Sequence, residues 1–330
     1  MRRAAATLTL LLAAGGVGTT AQTPQARPAA IPDTALPTTT GSAPTAPAAT
    51  PPLAKAPAFD SNRAWEHLRR QVAVGPRPAG SAALAECRRY ILGELKASGI
   101  TATEQVFDAE TPVGKVRMVN VVATIPGTRP GRIAIGSHYD TKLFRDFRFV
   151  GASDGASSTA TLLELGRVLK ARKNLFTIDL LFFDGEEAVV EWQGTDNTYG
   201  SRYYVQAART TGTLARLKAF ILLDMVGDRQ LNIRREMEST RWLTDLIWAA
   251  ARRVGHSQSF IDEPFSVGGD DHYPFLAAGI PAVDLIDLDY PAWHTPGDTL
   301  DAVSARSLQI VGDVVLEALP AIEKRLAAGR

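Results

Sequence analysis

The sequence predicts an α/β fold: one domain built as a three-layer sandwich around a mostly parallel central sheet. Three observations lead there. Short apolar runs such as Ile178, Leu180, Leu181, Phe182 and Phe183 are nearly continuous, as strands buried on both faces of a sheet must be. These runs alternate with stretches of helical periodicity from about residue 58 onward. Several of them end in an acid or a histidine, as strands do when their carboxyl ends form a ligand site.

Taken in order, Asp60 or Ser61 caps a helix with Trp65, Leu68 and Val72 on one face. The run Gly75-Pro76-Arg77-Pro78-Ala79-Gly80 breaks the chain, and Ser81 caps a second helix to about Ser98. Strands are expected at Thr101–Phe107, Arg117–Ile125 and Arg132–Ser137. A helix follows from Asp154 to about Lys170, then the strand Phe176–Phe183. The remaining pattern is helix at Tyr199–Ala208, strand at Ala219–Leu223, helix at Arg241–Val254, short helix at Asp271–Ala278, strand at Pro281–Ile286 and helix at Ser304–Leu326.

The amino terminus reads differently. Arg2 and Arg3 precede an apolar, small-residue stretch from Ala4 to Gly18, and Thr19-Thr20-Ala21 precedes Gln22. That is the pattern of a secretory signal peptide over residues 1–21, too short and too interrupted for a permanent membrane span. Residues 22–57 are rich in Pro, Ala and Thr and form an expected disordered linker. Residues 58–330 are the expected catalytic domain, exported to a periplasm or beyond. A formal net charge of +1 on 330 residues gives no reason to expect nucleic acid or an anionic membrane surface as partner. A monomer is expected. Cys87 is the only cysteine, so neither an intrachain disulfide nor a thiolate metal cluster can form; its helical setting points to a core position.

The chemistry concentrates where strands end. His138 and Asp140 follow one strand; Asp184, Glu186 and Glu187 follow the next; Asp224 ends another; Trp293 and His294 lie in the loop after Pro281–Ile286. Asp154 opens a helix on the same side. Adjacent acids at the exit of a buried strand are costly to keep charged without a nearby positive centre. A metal supplies one: Glu186 and Glu187 then divide into a proton carrier and a ligand. Imidazole with carboxylate and no thiolate suits a catalytic zinc with an open position. Asp140, two residues past His138, can orient that ring. Plainer readings fit other residues: His67 is expected on the surface, His256 at a helix end, Met225 in the core, and Asp284 and Asp287 without a supporting pattern.

The set His138-Tyr139-Asp140, Asp154-Gly155, Glu186-Glu187, Asp224 and His294 resembles the secreted zinc aminopeptidases with a paired-metal site. The segments His138-Tyr139-Asp140-Thr141-Lys142, Phe149 to Asp154, Phe182-Phe183-Asp184-Gly185-Glu186-Glu187-Ala188, Trp192, Tyr199-Gly200-Ser201-Arg202, Leu222-Leu223-Asp224, Asp270 to Leu276, Gly279-Ile280-Pro281 and Trp293-His294-Thr295 narrow the likeness to the animal-type glutaminyl-peptide cyclotransferases, over Phe59 to Leu326. That resemblance implies a zinc-exopeptidase-like sheet and a single zinc on Asp154, Glu187 and His294. It implies Glu186 as general acid/base, Asp224 and Asp270 as a carboxylate network beside it, and Trp192 and Trp293 as pocket walls. The implied reaction converts the N-terminal Gln of peptides and proteins to pyroglutamate with release of ammonia. The alternative is a metallo-aminopeptidase with two zincs, the second on His138 and Asp224; a zinc-stabilised binding domain is a third reading. The chain departs from the animal pattern in lacking their disulfide and in its short, Gly-rich approach (Gly268, Gly269) to Asp270.

Overall fold

The computed structural model describes residues 57–329; the expected leader, residues 1–21, and all but the last residue of the expected linker lie outside the described residues. Two helices open the domain, α1 (Ser61–Val74) and α2 (Ala82–Ala97). Asp60 and Ser81 cap them as expected, accepting from the N–H groups of Asn62 and Leu84. The strands β1 (Thr101–Thr111) and β2 (Gly114–Ile125) form a hairpin, followed by β3 (Arg129–His138), α3 (Ala156–Ala171) and β4 (Phe176–Phe183). Next come α4 (Tyr199–Thr210), β5 (Leu217–Asp224), β6 (Ile233–Glu236), α5 (Arg241–Arg253) and β7 (Phe260–Phe265). The chain closes with α6 (Tyr273–Ala277), β8 (Ala282–Ile286) and α7 (Ala305–Ala327).

The main sheet has six strands in the order β1-β2-β4-β3-β5-β8. β4, β3, β5 and β8 run parallel, and the β1–β2 hairpin joins antiparallel at the β4 side. Both faces are covered, and the alternation shows it. Ile178, Leu180 and Phe182 of β4, with Ile221 and Leu223 of β5, join one core with α1, α2, α3, α5 and α7. Leu181, Phe183, Phe220 and Leu222 face a second core with Tyr204 of α4 and Phe275 of α6. Burying such a side chain contributes about 1.5–3 kcal/mol, so two-sided burial holds β4 and β5 firmly in the sheet.

Two elements fall outside the sequence expectation. β6 and β7 form a separate two-stranded parallel sheet, and β6 packs beside β8. β6 reads Ile-Arg-Arg-Glu, too short and polar for period-2 alternation, and β7 carries Pro264, a residue that argues against a strand when read from sequence. His67, expected on the surface, is instead buried in α1, its Nδ1 2.7 Å from the Tyr90 hydroxyl. The α2 helix covers that face, which helical periodicity alone does not reveal.

The parallel register brings the carboxyl ends of β3, β4, β5 and β8 to one edge. Gly185 makes the turn out of β4 possible. Its φ is 70°, and a Cβ there would lie 2.5 Å from the Met118 sulfur.

Candidate active site

His138 is the last residue of β3 and Asp224 the last of β5, while Glu186 and Glu187 lie just past β4. Asp154 precedes α3, and His294 follows β8 after a loop. The structure brings all six together. A cavity of about 390 Å³ is lined by Asp154, Glu186, Glu187, Asp224, Asp270 and His294, with Trp192 and Trp293 among its walls.

Three residues form its candidate metal centre. His294 Nε2 lies 3.3 Å from Asp154 Oδ2 and 3.2 Å from Glu187 Oε1. Ligand atoms of Asp154, Glu187 and His294 lie within 4.8 Å of one another. Asp154 Oδ2 is buried and has no hydrogen-bond donor. A buried carboxylate oxygen left bare beside a second carboxylate and an imidazole is what a cation would satisfy, so the residues fit zinc. Asp154 and Glu187 are 4% exposed at the side chain and His294 is 25% exposed, so the centre is open on the cavity side.

A second group adjoins it through the same aspartate. Asp154 Oδ1 lies 3.3 Å from His138 Nε2, which in turn lies 3.1 Å from Asp224 Oδ1. The two oxygens of Asp154 thus face two histidines. These five residues meet the ligand requirement of a bridged pair of metals as well as of one metal.

The electrostatics follow from this crowding. Burial opposes ionisation of Asp154, but His138 and His294 outweigh it and hold the carboxyl well below its usual range. Burial also opposes charge on His294, yet Asp154 and Glu187 push it up to about 9. A cation taking its place would displace that proton. Burial, then the charges of Glu187, Asp270 and Asp271, push Glu186 well above the carboxylate range against the pull of His138.

Supporting residues fix these groups. The Asp140 carboxylate accepts the N–H groups of Glu186 at 3.2 Å and Glu187 at 3.3 Å, and lies 3.5 Å from His138 Nδ1. Asp298 accepts the N–H groups of Ser153 at 2.7 Å and Asp154 at 3.1 Å, and the Tyr290 hydroxyl at 2.7 Å. The buried Arg77 guanidinium donates to the carbonyls of Val150, at 2.8 Å, and Gly151, at 3.3 Å, in the loop leading to Asp154. The His294 ring stacks on Trp293, with centroids 4.5 Å apart, and meets the edges or faces of Phe144 and Phe149 at 5.5 and 5.9 Å. Among the described residues, the non-glycine positions with positive φ are Thr198, Met225 and His294. Met225 and His294 line the cavity, and the Thr198 N–H donates to the Glu186 carbonyl at 2.8 Å. Left-handed backbone at such residues is held by its surroundings and clusters at functional sites.

Sequence reasoning missed Asp298, whose role depends on a fold-back of more than a hundred residues. Met225, expected in the core, is buried in a cluster with Ile286 and Tyr290 and also lines the cavity. Asp284, read as lacking a pattern, is fully buried near Asp270.

Residues 120–319 match peptidase family M28. The mouse glutaminyl-peptide cyclotransferase-like protein is 32% identical over 272 residues, covering 73% of this chain and 70% of its own. The chain belongs to the glutaminyl-peptide cyclotransferases within that family. Among solved structures, a glutaminyl cyclase of an Acidobacteriales bacterium is 40% identical with a TM-score of 0.78, over 86% of this chain and all of that one. A leucine aminopeptidase precursor of Bacteroides thetaiotaomicron is 28% identical with a TM-score of 0.74, over 81% of this chain and 99% of its own. The cyclotransferase resemblance and the α/β architecture expected from sequence are both borne out. No helix among the described residues is long and apolar enough to cross a membrane.

Proposed function

We propose that this cyclotransferase converts the N-terminal glutamine of peptides and proteins to pyroglutamate, releasing ammonia, with one zinc held by Asp154, Glu187 and His294. The observation that carries it is Glu186. It lies in the cavity beside the candidate metal ligands, adjacent in sequence to one of them, and its carboxylate is free of any side-chain hydrogen bond. When bound, zinc supplies Lewis-acid polarisation of the glutamine side-chain carbonyl.

The chain's own residues do the rest. The cavity holds the substrate so that its α-amine faces the side-chain amide carbon, and this positioning makes attack intramolecular. Glu186 takes a proton from the attacking amine and delivers it to the departing ammonia. The C–N bond of the ring forms as the bond to the amide nitrogen breaks, and the proton moved by Glu186 balances the two. Asp224 and Asp270 line the same cavity as Glu186 and form the carboxylate network that holds the shuttle in place; burial, then the charges of Asp224 and Asp271, push Asp270 well above the carboxylate range. Trp192 and Trp293 wall the cavity and exclude water, which would otherwise compete as nucleophile. Because the substrate supplies its own amine, no activated water is needed and one metal suffices. Export on the amino-terminal leader belongs to the same reading, and extracytoplasmic peptides and proteins are the substrates.

The aminopeptidase precursor among the structural neighbours, and the two histidines facing Asp154, favour the second reading of a two-metal aminopeptidase. Mass spectrometry of a Gln-initiated peptide incubated with the zinc-loaded protein separates them. Loss of ammonia with the chain otherwise intact is expected. Release of the whole first residue would overturn the cyclase reading.

A further inference from the structure

Behind the cavity lies a second cluster of titratable side chains. Asp270, His272 and Asp284 bring one ligand-type atom each within 4.8 Å of one another, and all are buried. His272 Nε2 lies 3.2 Å from Glu236 Oε2, and Nδ1 lies 3.7 Å from Asp284 Oδ2. Neither contact has the alignment or length of a formed hydrogen bond: both ring nitrogens, both Asp284 oxygens and Asp270 Oδ2 lack a partner. Orphaned polar atoms in this number are costly in a fold's interior and call for a role.

The far end of the cluster is anchored. Glu236 accepts the N–H groups of Glu238 at 3.1 Å and Ser239 at 2.7 Å, and the Ser239 hydroxyl at 2.8 Å. The Ser239 oxygen in turn accepts the N–H of Asp284 at 3.0 Å. Three donors to one carboxylate, with His272 beside it, keep Glu236 ionised despite its burial. The His272 ring stands between the two acids, Nε2 on the Glu236 side and Nδ1 on the Asp284 side. Burial, then the charges of Asp270 and Asp224, push Asp284 well above the carboxylate range, and its carboxyl lies within 4.8 Å of that of Asp270. Asp270 reaches the cavity with Glu186; Glu236, His272 and Asp284 do not.

We infer that Glu236 and His272 are positioning residues that act through Asp284 on Asp270, fixing the carboxyl that stands next to the Glu186 proton shuttle. The row runs Glu236, His272, Asp284, Asp270, from the small β6–β7 sheet across β8 to the cavity. A rigid anchor at one end orients the working carboxyl at the other, as outer partners orient the residues that touch substrate. The inference rests on the cyclase reading for the reaction it serves.

The test uses full-length zinc-loaded protein and a Gln-initiated peptide, following ammonia release. His272→Asn and Glu236→Gln should each lower kcat by about 10-fold or more with KM within about two-fold, because neither touches substrate. Metal content and melting temperature verify folding, and the isosteric Glu236→Gln carries the same expectation where His272→Asn does not fold. In an Asp270→Asn background, His272→Asn should cause no further loss, since both changes break one row. Unchanged kcat in a folded variant would overturn the inference, as would a fully additive loss in the double variant. A second equivalent of metal that disappears with His272→Asn would also overturn it, by making the cluster a cation site. Wild-type protein that releases no ammonia would instead overturn the cyclase reading itself.

Discussion

Two centres in this molecule are each built from one histidine and neighbouring carboxylates, and they differ in access. At Asp154, Glu187 and His294 the histidine is a quarter exposed and faces a cavity; at Glu236, His272 and Asp284 every side chain is sealed. His294 has carboxylate oxygens at 3.2 and 3.3 Å, and His272 has them at 3.2 and 3.7 Å. Donor type and spacing are therefore alike. Access is what separates them: the first group opens on the cavity and the second is closed to it.

The largest expected effect breaks the open centre. Glu187→Gln should lose the metal and with it turnover, while chelation of the wild-type protein should reproduce the same loss. The stability response follows: zinc at about 100 times its Kd adds about 2.7 kcal/mol to the wild type and nothing to the variant, read as a shift in Tm. A variant whose Tm still rises with zinc would place the metal elsewhere. Next in size, Glu186→Gln should retain stoichiometric metal and lose about 100-fold or more in kcat. Near-normal turnover would remove Glu186 as the proton carrier.

Asp298→Asn sharpens the comparison by touching only the support of Asp154. Its side chain accepts the backbone N–H groups of Ser153 and Asp154, so metal affinity should fall by about 10-fold or more by competition with a chelator. Unchanged affinity would make Asp298 a loop staple alone. Smallest, Trp192→Ala removes a partly exposed wall, and kcat/KM should fall by about 10-fold, the equivalent of about 1.4 kcal/mol of apolar contact. No change in kcat/KM would show that the substrate does not lean on Trp192.

The two centres were also unequally legible in the sequence. His138, Asp154, Glu186, Glu187, Asp224 and His294 could be read because parallel strands deliver their ends to one edge, and each buried run announced its own end. Trp192 and Trp293 line the cavity that the family resemblance implied for them. The sealed centre gave no such sign. Asp284 sits inside a buried strand, opposite Leu222 in the register, and looked like an isolated acid. Glu236 belongs to a strand with no apolar alternation. Only the packing of β6 against β8 makes the pair meaningful, and that contact is long-range and carries no local pattern. The same holds for Asp298, which reaches back to the loop before α3, and for Arg77, whose guanidinium binds carbonyls that no periodicity marks.

The most direct test of the division between the two centres is metal stoichiometry, measured on wild-type protein, Glu187→Gln and Asp284→Asn. The account predicts one zinc per chain in the wild type, none in Glu187→Gln and one in Asp284→Asn. Two ions in the wild type, or loss of an ion in Asp284→Asn, would contradict it.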